Sequence, residues 1–135
     1  MRLVVEETFS AAHRLLGYDG PCGKLHGHNW RVRVEIEGRP DNIQYMVVDF
    51  TEIKRIIREL DHKVLLCEDD KMCLILAVNG HDVVKLPHNP TCECLAEYIA
   101  RRIIEIYGQR LSYISVTVWE TDKQSATYAT PVSGP

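Results

Sequence analysis

The run His26-Gly-His-Asn-Trp-Arg-Val-Arg-Val-Glu-Ile-Glu37 holds the cleanest alternation in the chain. From Asn29 to Glu37, Trp30, Val32, Val34 and Ile36 take one parity and Arg31, Arg33, Glu35 and Glu37 the other. That is the pattern of a strand with one face in a core and one in water. Gly38, Pro40, Asp41 and Asn42 end it. Upstream, the stretch from Arg2 to His13 repeats the pattern. Leu3, Val5, Phe9 and Ala11 lie on one face, Glu6, Thr8 and Ser10 on the other, with Val4 an apolar exception. Gly17, Gly20, Pro21 and Gly23 mark an irregular loop between the two strands.

Downstream the period changes. Phe50, Ile53, Ile56, Ile57 and Leu60 recur at helical spacing behind Asp49, an N-cap with Glu52 three residues on. A second helix follows Asn89-Pro90-Thr91, with Leu95, Ile99, Ile103 and Ile106 on one stripe and Gly108 at its end. Leu65 to His88 has no clear period beyond a short strand at His81 to Leu86. Two closing strands follow. In the first, Ile114, Val116 and Val118 alternate with Ser115, Thr117 and Trp119; the second runs from Ser125 to Thr130, and the terminal PVSGP is expected to fray. The order β-β-α-α-β-β predicts an α+β fold, a four-stranded, mostly antiparallel sheet with two helices on one face. Its two open edges favour closing several copies into a ring, hence a homo-oligomer.

The length of 135 residues fits a single domain over 1–135, with the 45% apolar and 26% charged composition of a globular chain. A net charge of −3 argues against nucleic-acid or membrane partners, which need a basic face, but not against a small anionic substrate. The start MRLVVEETF is broken by acids and reads as neither a signal peptide nor a membrane span. Five cysteines without framework spacing suggest reduced thiols in a cytoplasmic protein. Cys92 and Cys94, two apart on a helix, do not share a face and make a poor chelate.

The histidines follow the strand parities. His13 continues the inward face of Leu3, Val5, Phe9 and Ala11, and His26 and His28 continue that of Trp30 to Ile36. Residues i and i+2 of a strand point the same way and can grip one ion, with Gly27 between them letting backbone approach. A lone histidine would more simply be a hydrogen-bonded core residue. Three converging imidazoles point instead to a divalent metal, most simply Zn²⁺, with a fourth position open for catalysis. Cys22 could close that position or stand beside it as a thiol activated by the cation; the residues leave both open. Asp61-His62 reads either as a solvated helix end or as a carboxylate orienting an imidazole for proton transfer. Glu120 extends the inward face of Ile114, Val116 and Val118, where an unpaired carboxylate is costly. Its partner could be a basic side chain, or a ligand edge with two parallel N–H donors such as an aminopyrimidinone ring.

In sum of motifs the whole chain resembles the 6-pyruvoyl-tetrahydropterin synthase / 6-carboxy-tetrahydropterin synthase family. The matching stretches are FSAAHRL around His13, CGKLHGHNW from Cys22, VVDFTEIK from Val47, LDHKVL from Leu60, PTCECLA from Pro90 and VTVWET from Val116. The resemblance implies the tunnelling fold, with chains assembling into an oligomeric barrel, commonly a hexamer built as a dimer of trimers. It implies zinc on His13, His26 and His28, and makes Cys22 the catalytic thiol. Asp61 and His62 would complete a proton relay with Cys22 across a subunit boundary, and Glu120 would anchor the pterin ring. The implied substrate is dihydroneopterin triphosphate, with Lys24, Arg14 and Lys63 as candidates for its triphosphate. Cys94 stands where the family usually has asparagine, and Leu65 to His88 is longer than in many relatives.

Two branches of the family separate by product. The carboxy branch cuts the side chain, releases acetaldehyde and triphosphate, and feeds queuosine and other deazapurines; the pyruvoyl branch keeps the side chain intact. The three residues between Cys22 and His26 favour the carboxy branch, since animal pyruvoyl synthases have a longer spacing there. A non-catalytic zinc-dependent oligomeric binding module is the reading from another class, and an open metal position beside Cys22 argues against it.

Overall fold

The computed structural model describes residues 1–133. Gly134 and Pro135, the end of the tail expected to fray, lie outside the described residues, while Pro131 closes a strand. The elements are β1 (Arg2–His13), β2 (His26–Gly38), α1 (Phe50–Arg58), β3 (Val64–Cys67), α2 (Met72–Val78), β4 (Val83–Leu86), α3 (Cys92–Tyr107), β5 (Leu111–Thr121) and β6 (Gln124–Pro131). The long alternating stretches fold as their parity requires. Val5, Phe9, Ala11 and His13 of β1, Trp30 to Ile36 at every second residue of β2, and Ile114, Val116 and Val118 of β5 are all buried.

The expected four-stranded sheet is corrected to six strands, in the order β4-β3-β1-β2-β5-β6. It is also mixed: β3 runs parallel to β1, and β4 parallel to β3. Three helices stand where two were expected, because α2 lies between β3 and β4. The segment from Leu65 to His88 was illegible for a physical reason. β3 is only four residues long and reads Val-Leu-Leu-Cys, with Leu65, Leu66 and Cys67 all buried. A strand covered on both faces loses alternation, and a short apolar run cannot be told from a piece of helix.

Helices α1 and α3 cover the inward face through Ile53, Ile56, Ile57, Leu95, Ala96, Ile99 and Ile103, all at or below 2% exposure. Ile106, expected on the α3 stripe, instead faces out. The Asp49 carboxylate caps α1 by accepting from the Thr51 amide, and the Thr91 hydroxyl caps α3 by accepting from the Cys94 amide. Each cap satisfies an amide that the helix itself leaves without a partner. The reciprocal half of a capping box is absent from α1: the Asp49 amide donates to the Tyr107 hydroxyl, tying α1 to the end of α3.

Candidate metal centre and active site

Antiparallel pairing of β1 with β2 sets His13 directly opposite His26 and Ala11 opposite His28. The three imidazoles therefore gather at one end of the buried face, above Trp30, whose ring meets His13 and His28 edge-on. Trp30 stacks on Phe9 and donates its indole N–H to the Ala11 carbonyl, which fixes the floor of the site. Gly27 is not a close-approach residue: a Cβ there would meet only ordinary contacts, the nearest at 3.6 Å.

Backbone carbonyls set the tautomers of two of the rings. His13 Nδ1 lies 2.8 Å from the Pro90 carbonyl oxygen and His26 Nδ1 lies 2.6 Å from that of Lys24. A carbonyl only accepts, so each Nδ1 carries the proton and each neutral ring turns a bare Nε2 lone pair inward. Those two Nε2 atoms are 3.1 Å apart. Burial, ahead of all other influences, lowers the pKa of His13 and favours that neutral form. Two lone pairs facing each other repel unless a cation sits between them. His28 adds a third inward nitrogen: its Nε2 is buried and has no hydrogen-bond partner, although Glu120 Oε1 is 2.8 Å away. His13, His26, His28 and Glu120 together offer ligand atoms all within 4.8 Å of one another, a group that could hold a metal ion. The donor set, imidazole nitrogen with carboxylate oxygen, suits zinc.

Cys22 lies outside that group, in a short 3₁₀ turn (Pro21–Gly23) between β1 and β2. It shares a cavity of about 210 Å³ with His13, Cys92, Glu93 and Glu120. The turn is tied to the strand by the Leu15 amide, which donates to the Cys22 carbonyl. Cys92, in the same cavity, is no competitor as a nucleophile, since burial and the Glu120 charge push its thiol up to about 11. Cys94 lines a different groove, with His88 and Tyr98, so the two helical cysteines do face apart.

The Asp61–His62 pair is formed, with His62 Nδ1 2.8 Å from Asp61 Oδ2. Asp61 also accepts from the Ser10 amide and from Arg58. The Ser10 bond first, then the one from His62, lowers its pKa, so it stays a carboxylate. His62 takes a positive φ of 59° as the chain turns from α1 into β3, and its side chain is 83% exposed. Its cavity, about 460 Å³, is lined by Ser10, Ala12, Gly27 and Asn29 rather than by Cys22. Within one chain, then, His62 and Cys22 open onto different cavities.

Of the basic candidates for an anion, Arg14 is already paired within the chain. Its guanidinium is gripped by both oxygens of Asp70, at 2.7 and 2.6 Å, and Asp70 is buried. That pair was not anticipated; nothing in Glu-Asp-Asp-Lys (68–71) singles out one acid, and only the fold brings Asp70 beneath β1. Lys63 borders the His62 cavity and Lys24 a surface depression beside His26.

The family model described as 6-pyruvoyl tetrahydropterin synthase matches residues 2–131. A Pyrococcus abyssi protein provisionally named 6-carboxy-5,6,7,8-tetrahydropterin synthase is 36% identical over 138 residues, covering 93% of this chain and 87% of its own. The Haemophilus influenzae protein named 6-carboxy-5,6,7,8-tetrahydropterin synthase is 29% identical over 135 residues, covering 91% of this chain and 94% of its own. Among solved structures, the 6-pyruvoyl tetrahydropterin synthase of Plasmodium vivax superposes with a TM-score of 0.70 at 24% identity, over 98% of both chains. Identity that low speaks for the fold alone.

Proposed function

Because the chain belongs to the 6-pyruvoyl tetrahydropterin synthase family, we propose that it is a zinc-dependent 6-carboxy-5,6,7,8-tetrahydropterin synthase acting on 7,8-dihydroneopterin triphosphate. The observation that carries the metal is the set of inward Nε2 nitrogens on His13, His26 and His28, that of His28 buried and without a hydrogen bond. The carboxy branch is favoured by the relatives that bear that name and by the short spacing from Cys22 to His26.

His13, His26 and His28 would hold zinc, which supplies a Lewis acid that makes the hydroxyls and neighbouring C–H of the substrate side chain easier to deprotonate. Cys22, on the cavity shared with His13 and Glu120, is the base that takes a proton there. Asp61 holds His62 by its Nδ1, leaving Nε2 free to pass that proton on. Since His62 and Cys22 open onto different cavities of one chain, the relay joins residues of two copies in a homo-oligomer, a hexamer in our reading. Glu120 accepts N–H groups of the pterin ring, and Lys24 and Lys63 are the remaining candidates for the triphosphate. The side chain is then cut with uptake of one water, whose oxygen completes the carboxylate, and acetaldehyde and triphosphate leave.

The test is metal dependence. Chelation should abolish turnover of dihydroneopterin triphosphate, and one equivalent of Zn²⁺ per chain should restore it. Full turnover by metal-free protein would overturn the reading.

A further inference from the structure

The position of Glu120 is not that of a carboxylate waiting for a ring alone. Its Oε1 stands 2.8 Å from His28 Nε2 and 3.7 Å from His13 Nε2, and His13 and His26 are 3.1 Å apart at their Nε2 atoms. Ligand atoms about 2.0–2.1 Å from a tetrahedral zinc lie roughly 3.3–3.4 Å from one another. The three separations bracket that edge length. The contact with His28 is also not a hydrogen bond, because His28 Nε2 remains without a partner. Two polar atoms that close without a hydrogen bond between them suit a cation shared by both, and all four candidate ligand atoms lie within 4.8 Å of one another. Among the described residues Glu120 has no lysine or arginine partner; the basic groups paired with it are the imidazoles of His13 and His28.

We propose that Glu120 is the fourth ligand of the resting metal, and that binding of a pterin ring draws it off the metal. This rests on the metal and pterin reading above and adds a device to it. A ring edge with two parallel N–H groups needs both oxygens of the carboxylate. With Oε1 committed to the metal, only Oε2 is free, so recognition of the ring and ligation of the metal compete for one side chain. The pairing of β5 with β6 slips between Trp119 and Thr121, a bulge of the kind that re-aims side chains beside active sites. Glu120 sits at that slip, 22% exposed, on the wall of the cavity it shares with Cys22. It has both the backbone irregularity and the space to turn. No electrons move in the exchange: one metal–oxygen contact is given up and two N–H···O contacts form. The outcome is order. The coordination position for the substrate side chain opens only after the ring is seated.

Cobalt(II) bound to the full-length protein reports this directly, because its visible bands follow ligand number and type. Unsubstituted pterin, which has the ring edge but no side-chain hydroxyls, is the probe. We expect the bands of the Glu120→Gln protein to differ from those of the parent, with cobalt held about 10- to 100-fold more weakly, at least the loss seen for outer-sphere partners. Saturating the parent with pterin should shift its bands toward those of the variant, while the variant should not shift. Superimposed parent and variant spectra, or a parent spectrum that pterin leaves unchanged although pterin fluorescence is quenched, would overturn the proposal. Pterin that fails to bind the cobalt protein would overturn the exchange as well. Failure to bind stoichiometric cobalt would instead bring down the metal reading itself, so the two failures are distinct. The pterin arm uses only the parent chain and does not depend on the variant folding.

Discussion

His13 and His26 face each other across β1 and β2 with their Nδ1 protons committed to the Pro90 and Lys24 carbonyls. Removing one ring should therefore do more than delete a ligand, since the other lone pairs keep their orientation with too few partners. His26→Ala or His28→Ala should drop metal content well below one ion per chain, while Cys22→Ala, outside the ligand group, should leave it near that of the parent. Elemental analysis after dialysis checks both; equal loss in Cys22→Ala and His28→Ala would make Cys22 a ligand and the site structural. Much of this was legible in the sequence, because strand parity alone puts His13, His26, His28 and Glu120 on the buried face. What parity cannot supply is distance along that face. Glu120 was read as a ring anchor, and its approach to His28 depends on how β5 aligns with β2 and slips against β6. The Pro90 and Lys24 carbonyls carry no side-chain signal at all.

At the scale of elements, β3 and α2 are the parts that sequence periodicity missed, β4 falling within the short strand expected at His81 to Leu86, and together they brace the histidine-bearing end of β1. The Ala12 amide donates to the Lys63 carbonyl, β3 pairs with Ala12 and His13, and Asn89 bonds both the amide and the carbonyl of Leu16. Arg14 and Asp70 bolt the same segment down from beneath, and Asp70 Oδ1 also accepts from the Met72 amide at the start of α2. The Arg14 hydrogen bonds, foremost, hold the Asp70 carboxyl below its ordinary range. Its stabilisation is thus full above the unfolded carboxyl's titration near about pH 4 and is lost as pH falls through the lowered folded value. Asp70→Ala should cost about 3–5 kcal/mol at neutral pH, the range for stranding one partner of a buried pair. The lower end is expected, since Arg14 is 23% exposed. Urea unfolding at pH 7 and pH 3 checks it, and the gap between parent and Asp70→Asn should narrow at the lower pH. An equal gap at both would assign the effect to packing instead of charge. The longer strands needed no such help: β1, β2 and β5 run for 11 to 13 residues, enough for their alternating stretches and burial to fix one another.

For the whole molecule, the sheet ends in β4 on one side and β6 on the other, and Cys22 and His62 open onto separate cavities. An account in which two copies build each active site predicts complementation. Cys22→Ala and His62→Ala chains, each inactive alone, should regain a fraction of parent turnover when unfolded together and refolded as mixed assemblies; inactivity of the mixture with metal bound would place the whole relay in one chain. The central claim, however, concerns the product. Metal-loaded protein incubated with 7,8-dihydroneopterin triphosphate, with the pterin followed by mass spectrometry and acetaldehyde by a coupled assay, tests it in one tube. The account predicts 6-carboxy-5,6,7,8-tetrahydropterin and acetaldehyde in equal amounts; 6-pyruvoyl-tetrahydropterin accumulating without acetaldehyde would contradict it.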